Sequence, residues 1–217
     1  MKKLTLTSIF FFALSSVILS QVQFDIALGV SPGSNPNAYG IIVNRENPVE
    51  EFQFKLVHVD PQFIGSLKAH VPMNDQFFLE GGVSYTQRNS VYHIQYTMPT
   101  REPAEQEMLL EESESMILLP VNIGVVLGKF NVTSGLRLKK NISESNELKQ
   151  IDGFISDDNS MQMGWQMGLR YGFNRTMIGV EYMGTLNRVC EGMYVNGNSL
   201  AIMTVPGSFV FSLQYRI

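Results

Sequence analysis

The sequence predicts an all-β protein: an eight-stranded antiparallel up-and-down transmembrane β-barrel with short periplasmic turns and long extracellular loops. Three observations carry this expectation. Apolar residues recur on alternate positions in stretch after stretch, the signature of strands rather than helices. The connections between those stretches alternate between short and long, and the apolar faces carry no charge. Of the 217 residues, 44% are hydrophobic and 17% charged, with a net charge of −4. That is chain enough for one large β domain. The mild acidity gives no electrostatic footprint for nucleic acid, which calls for a basic patch or stripe.

The first element is not a strand. Lys2 and Lys3 precede an apolar stretch from Ile9 to Leu19, which ends at Ser20 before a polar Gln-Val-Gln. A charged start, a short apolar region and a small residue at the cut describe a secretory signal peptide over residues 1–20, leaving 21–217 as the barrel domain. Ile18 is unusually large for its place before the cut, and no cysteine follows the apolar region as a lipoprotein anchor would require. Beyond this segment no run of about 18 apolar residues occurs, so any membrane span must be made of strands. The lone Cys190 has no internal disulfide partner and reads as an inert thiol.

Period-two alternation marks strands at 23–31, 63–71, 77–87, 116–127, 130–139, 162–172, 177–186 and 208–217. Several have the length of about 9–11 residues that a tilted strand needs to cross the hydrocarbon layer. The short connections are Pro-Met-Asn-Asp-Gln at 72–76, a Gly-Lys turn at 128–129, and Phe-Asn-Arg-Thr at 173–176. Each supplies Asn, Asp or Gly where a tight turn strains the backbone. The remaining connections, 32–62, 88–115, 140–161 and 187–207, read as long loops, with a turn or two of helix expected in the amphipathic stretch 104–114. An even strand number with alternating short and long connections is the pattern of bacterial outer-membrane barrels.

Parity then separates two faces. One is apolar throughout and includes Met163, Trp165, Met167, Leu169 and Tyr171, then Phe209, Phe211, Leu213 and Tyr215. The other carries Asp25, Lys68, His70, Glu80, Asn122, Arg137, Gln166, Arg170, Glu181 and Arg216, interleaved with most of the strand glycines. An eight-stranded barrel is only just wide enough to be filled by side chains. Small residues beside long polar ones suit that lumen, and the uniformly bulky apolar face suits lipid. The soluble alternative, a lipocalin-like barrel, reverses the two faces.

Four stretches carry a family resemblance. They are FFLEGGVSYTQRNSVYHIQY, MILLPVNIGVVLGKFNVTSGLRL, GWQMGLRYGFNRTMIGVEYMGTLNRV and the terminal FSLQYRI. Together they resemble the PorT-like outer-membrane β-barrel family of Bacteroidetes over residues 22–217. The resemblance implies residence in the bacterial outer membrane and recognition of the last strand by the barrel-insertion machinery. It also implies a role beside a secretion or gliding apparatus. The stretch VEEFQFKLVHVD in the first loop fits the family pattern poorly, and the chain ends in Ile217 rather than the Phe common among such barrels.

Candidate chemistry centres on the polar face. Asp25, Glu80 and Glu181 can pair with Lys68, Arg137, Arg170 and Arg216 to form a salt-bridged plug, since paired charges are tolerable in a low-dielectric lumen and lone ones are costly. The histidines His58, His70 and His93 invite comparison with lipid-modifying barrel enzymes. Ser84 or Ser90 beside His93 would make a nucleophile and base, but no Gly-x-Ser-x-Gly elbow supports the pairing. Glu102, Glu105, Glu107, Glu111, Glu112 and Glu114 crowd the second loop, and Glu144, Glu147, Asp152, Asp157 and Asp158 the third. Such carboxylates could hold a divalent ion against lipopolysaccharide phosphates, though their spacing matches no calcium motif. The expectation is therefore a barrel without cofactor, metal or catalytic residue. Its partners are outer-membrane lipid, lipopolysaccharide, the insertion machinery and a secretion or surface partner at the loops. A lipid-modifying enzyme and a soluble ligand-binding barrel are the alternatives.

Overall fold

The structure, a computed structural model, describes residues 22–35, 38–43, 51–97, 105–147, 154–155, 161–186, 192–195, 198–201 and 207–217. The signal segment and Cys190 lie outside these residues, as do Glu102, Asp152, Asp157 and Asp158. In chain order the strands are β1 Gln23–Ser31, β2 Ala38–Val43, β3 Glu51–Val59, β4 Gln62–Pro72, β5 Phe77–Thr97, β6 Glu105–Leu127 and β7 Phe130–Asn146. They continue with β8 Phe154–Ile155, β9 Gln162–Phe173, β10 Thr176–Thr185, β11 Gly192–Val195, β12 Asn198–Ala201 and β13 Ser208–Arg216.

Eight of these strands close on themselves in the order β5-β4-β1-β13-β10-β9-β7-β6, with β6 returning to β5. Every pairing in the ring is antiparallel. The first and last ring strands meet, with Asp25 opposite Arg216 and Val30 opposite Phe211. Closure of this kind leaves the ring without exposed edges, the condition for backbone to cross hydrocarbon.

Sequence and structure agree on the turns for local reasons. The side chain of Asn74 accepts hydrogen bonds from the amides of Gln76 (2.8 Å) and Phe77 (2.7 Å), closing an Asx turn. The other two short turns each carry a residue in the left-handed region, Gly128 at φ 64° and Asn174 at φ 55°. Glycine pays no steric penalty there, and Asn is among the residues that tolerate it.

The long connections differ from expectation. β5 runs on to Thr97 and β6 begins at Glu105, so residues 88–97 and 105–115 form a paired hairpin where a loop was expected. The stretch 105–114 is therefore strand, not helix. Its Glu, Met and Leu residues are good helix formers, but a full ladder from Arg88–Glu114 to Thr97–Glu105 overrides that weak preference. β7 likewise continues to Asn146. Residues 32–62 hold β2 and β3, and β3 pairs with the far part of β5 through a register shift between Leu56 and His58. The result is a sheet, β2-β3-β5-β6-β7, that continues past one rim of the barrel. A small separate sheet is formed by β8, β11 and β12.

The faces sort as parity requires. On β9 the burial pattern alternates, with Gln162, Gln166 and Arg170 buried and Met163, Met167 and Leu169 exposed. Phe24, Ile26 and Leu28 on β1, and Phe209, Phe211, Leu213 and Tyr215 on β13, also point outward. Aromatic contacts lie along this outer surface: Trp165–Tyr182 at 5.3 Å, Tyr182–Phe209 at 5.0 Å and Phe130–Tyr171 at 5.2 Å between ring centres. On β6 the outward residues are apolar from Leu127 to Ile117 and then turn polar at Ser115, Ser113 and Glu111. A bulky apolar band with a polar inside is the reverse of a lipocalin-like barrel, and it makes this a transmembrane β-barrel.

Candidate functional site

The strands deliver a charged cluster to the middle of the lumen. Lys68 comes from β4, Glu80 from β5, Arg170 from β9 and Glu181 from β10, all essentially solvent-free. Arg170 binds Glu80 with both terminal nitrogens, one of them at 2.8 Å from Oε1. It also donates to Glu181 Oε1 from Nε (3.1 Å) and Nη2 (2.8 Å). Lys68 Nζ closes the ring, 3.0 Å from Glu181 and 3.7 Å from Glu80. Asn122 donates to Glu80 (3.1 Å), and Gln166 donates to Asn122 (2.9 Å), carrying the network onto β6.

Small residues make room for it. A Cβ at Gly168 would meet Thr133 and Glu181, and one at Gly179 would meet the Arg170 side chain. Near the short turns a second layer holds Asp25, bound by Arg216 through Nε at 2.9 Å and Nη2 at 3.2 Å. His70 stacks on Phe78 in the same region, with ring centres 4.1 Å apart. On the other side of the cluster Ile64, Met183 and Val210 form an apolar layer across the lumen. Alternate large polar and apolar side chains thus fill the interior, as eight strands require.

Six of the seven charged lumen residues singled out by the sequence therefore make ion pairs, in two groups: Lys68, Glu80, Arg170 and Glu181, and Asp25 with Arg216. Arg137 joins neither. Among the described residues its hydrogen bond is a long one, 3.5 Å from Nη2 to the Gly184 carbonyl, and its buried Nε has no acceptor.

Asp25, His70 and Glu80 offer donor atoms within 4.8 Å of one another, a spacing that could suit a metal ion. Both carboxylates are already committed, Asp25 to Arg216 and Glu80 to Arg170, Lys68 and Asn122. A divalent cation there would add charge to a balanced cluster.

The hydrolase arrangement does not assemble. Ser84 and Ser90 face inward and are buried, whereas His93 lies on the opposite face of β5 and approaches Glu107 at 3.7 Å. His58 bonds Asn35 (2.6 Å) and Asp60 (3.1 Å) at the corner between β3 and β4.

The acidic residues of the second loop also divide by parity. Glu107 and Glu111 are exposed, while Glu112 and Glu114 are buried and paired. Glu112 accepts from Tyr92 (2.8 Å) and Asn146 (2.9 Å). Glu114 pairs with Arg88, with Lys139 at 3.6 Å and with Asn141 at 2.7 Å. Burial pushes the Glu114 carboxyl up, but Arg88, Lys139 and Asn141 outweigh it and hold the group below the usual 4.5. This upper polar layer was not anticipated from the sequence. Its signal was there, because Arg88, Glu112 and Glu114 continue the inward parity of β5 and β6.

No protein-family model matches the chain, and no curated protein matches it in sequence. Among solved structures it is similar to the backbone structure of the Yersinia pestis outer membrane protein Ail in a phospholipid bilayer nanodisc. That similarity covers 90% of this chain and 99% of Ail, at 10% sequence identity and a TM-score of 0.35. The class that fold and lumen define is a transmembrane β-barrel with a salt-bridged interior and a sheet rising beyond its apolar belt.

Proposed function

We propose that the chain is an integral protein of the bacterial outer membrane whose work is structural, adhesive or accessory to a secretion or gliding apparatus. The last role is the one its PorT-like resemblance implies. The carrying observation is the combination of a lumen crossed by the Lys68–Glu80–Arg170–Glu181 network with a five-stranded sheet continuing past the belt. A plug argues against solute flow, and a projecting sheet offers a surface for another macromolecule. In this reading Met163, Trp165, Met167, Leu169, Tyr171, Phe209, Phe211, Leu213 and Tyr215 face outer-membrane lipid. Lipopolysaccharide surrounds the outer rim, and the insertion machinery receives β13. No catalysis, metal or cofactor is invoked, in keeping with serines and His93 on opposite faces of β5.

Location and orientation are tested together in cells. The protein should fractionate with outer membrane and show heat-modifiable mobility. In a Cys190→Ser background, cysteine at Ser113 should react with a membrane-impermeant maleimide, and cysteine at Asn174 should not. Labelling at Asn174 alone would invert the orientation. Photo-crosslinkers at Leu109 and Ile142, both exposed on the projecting sheet, should capture a component of a surface or secretion assembly. Failure of either position to capture any protein would remove the accessory role.

A further inference from the structure

The lumen is not completely filled. Between the charged cluster and the apolar layer lies a cavity of about 20 Å³, lined among others by Arg137, Lys68, Gln166, Ser66, Ser212 and Glu181. A cavity of that size admits water or a small ion and excludes bulky solutes.

The part of the lumen around the cavity is electrically lopsided. Among the described lumen residues between the short turns and Arg137, four cations (Lys68, Arg137, Arg170, Arg216) face three carboxylates (Asp25, Glu80, Glu181). All three carboxylates are taken by the other cations. Glu181, which also lines the cavity, is bound by both Lys68 and Arg170. Arg137 is left with a buried Nε that has no acceptor, and the Ser212 hydroxyl is likewise without a partner. The carboxylate nearest this half-buried guanidinium is Glu181, and a counter-charge already bound by two other cations compensates a third only in part. A water molecule would accept from Nε but supply no negative charge.

We propose that this cavity is a small-anion site, sized for one monatomic halide bound to Arg137 and the Ser212 hydroxyl. The halide completes the lumen's charge balance and thereby stabilises the barrel. The site is independent of any surface partner and does not rest on the cellular role.

The test uses the full chain purified in detergent. Its heat-modifiable transition is followed in sodium chloride and sodium bromide against sodium gluconate at equal ionic strength, gluconate being too large to enter. Chloride and bromide should raise the midpoint saturably by ~3 °C or more, and Arg137→Gln should abolish the difference. Crystals grown in bromide should show an anomalous peak within hydrogen-bonding distance of Arg137 Nε. Equal midpoints in halide and gluconate would overturn the proposal, as would a halide effect that survives in Arg137→Gln. A cavity holding water alone would overturn it too. If Arg137→Gln does not fold, the bromide peak in the unaltered protein decides the matter, with Ser212→Val expected to weaken the halide response.

Discussion

Arg170 on β9 and Glu80 on β5 lie 90 residues apart in sequence, yet they form a two-pronged ion pair across the centre of the lumen. Both side chains are at most 1% exposed. A buried pair of this kind is more costly to break than to replace. Glu80→Gln or Arg170→Met should lower stability by ~3–5 kcal/mol, because each leaves a desolvated charge behind. The double replacement Glu80→Met with Arg170→Met should recover most of that loss. Urea unfolding in detergent, read by tryptophan fluorescence from Trp165, measures all three. Additive losses in the double variant would mean that the two charges do not depend on each other.

Phe78 points into the lumen against Gly124, where any Cβ would collide with its ring. Gly124→Ala should therefore destabilise by ~1–3 kcal/mol through overpacking. Phe78→Leu in the Gly124→Ala background should relieve part of the loss, as heat-modifiable mobility would show. An unchanged midpoint in Gly124→Ala would mean that the ring is free to move aside.

The outer belt gives a prediction of opposite kind. Met167 lies midway along β9 and is half exposed. Met167→Arg should cost ~2–4 kcal/mol in a bilayer, the penalty for a charge at the midplane. Folding yield into vesicles should fall accordingly, while Ser113→Arg, above the belt, should leave it unchanged. Equal yields for the two variants would place Met167 away from lipid.

Glu114 gives the upper sheet a pH dependence. Its carboxyl is held below the usual 4.5 by Arg88 and Lys139 despite burial. The folded form therefore binds its proton less readily than the unfolded one, and stability rises with pH between the two values. The contribution is complete above pH ~4.5 and is lost as pH falls through the lower, folded value. Hydrogen exchange of the β6 amides around Glu114 should accelerate on acidification below that point. Glu114→Gln should flatten this part of the response, and an identical acid response in the variant would assign it to another group.

The strands of the membrane-spanning ring were legible because lipid outside and charge inside impose opposite demands on neighbouring residues. Met163, Trp165 and Met167 against Gln162, Gln166 and Arg170 make that contrast visible without any structure. Above the belt the contrast disappears. Ser113 and Glu111 face outward there, and Glu112 and Glu114 face inward, so polar residues occupy both sides and 105–114 resembles a polar helix. β3 was legible in principle, since Phe52, Phe54 and Leu56 alternate with Gln53 and Lys55, but it lay within what read as one long loop. Among the lumen residues, parity shows which side chains point inward but not how high each stands. That Arg137 stops short of an ion pair with any of these carboxylates depends on register between strands, which no single stretch of sequence contains.

The pair between Asp25 and Arg216 ties the closure of the barrel to charge neutralisation. The two residues are 191 positions apart, one near the start of β1 and the other at the end of β13. The pair spans the seam between the two strands that close the ring. Until β13 lies in register beside β1, Asp25 is an uncompensated acid that resists leaving water. Neutralising that carboxylate and sealing the seam are thus one event, and a register slip of β13 would be penalised by a buried charge.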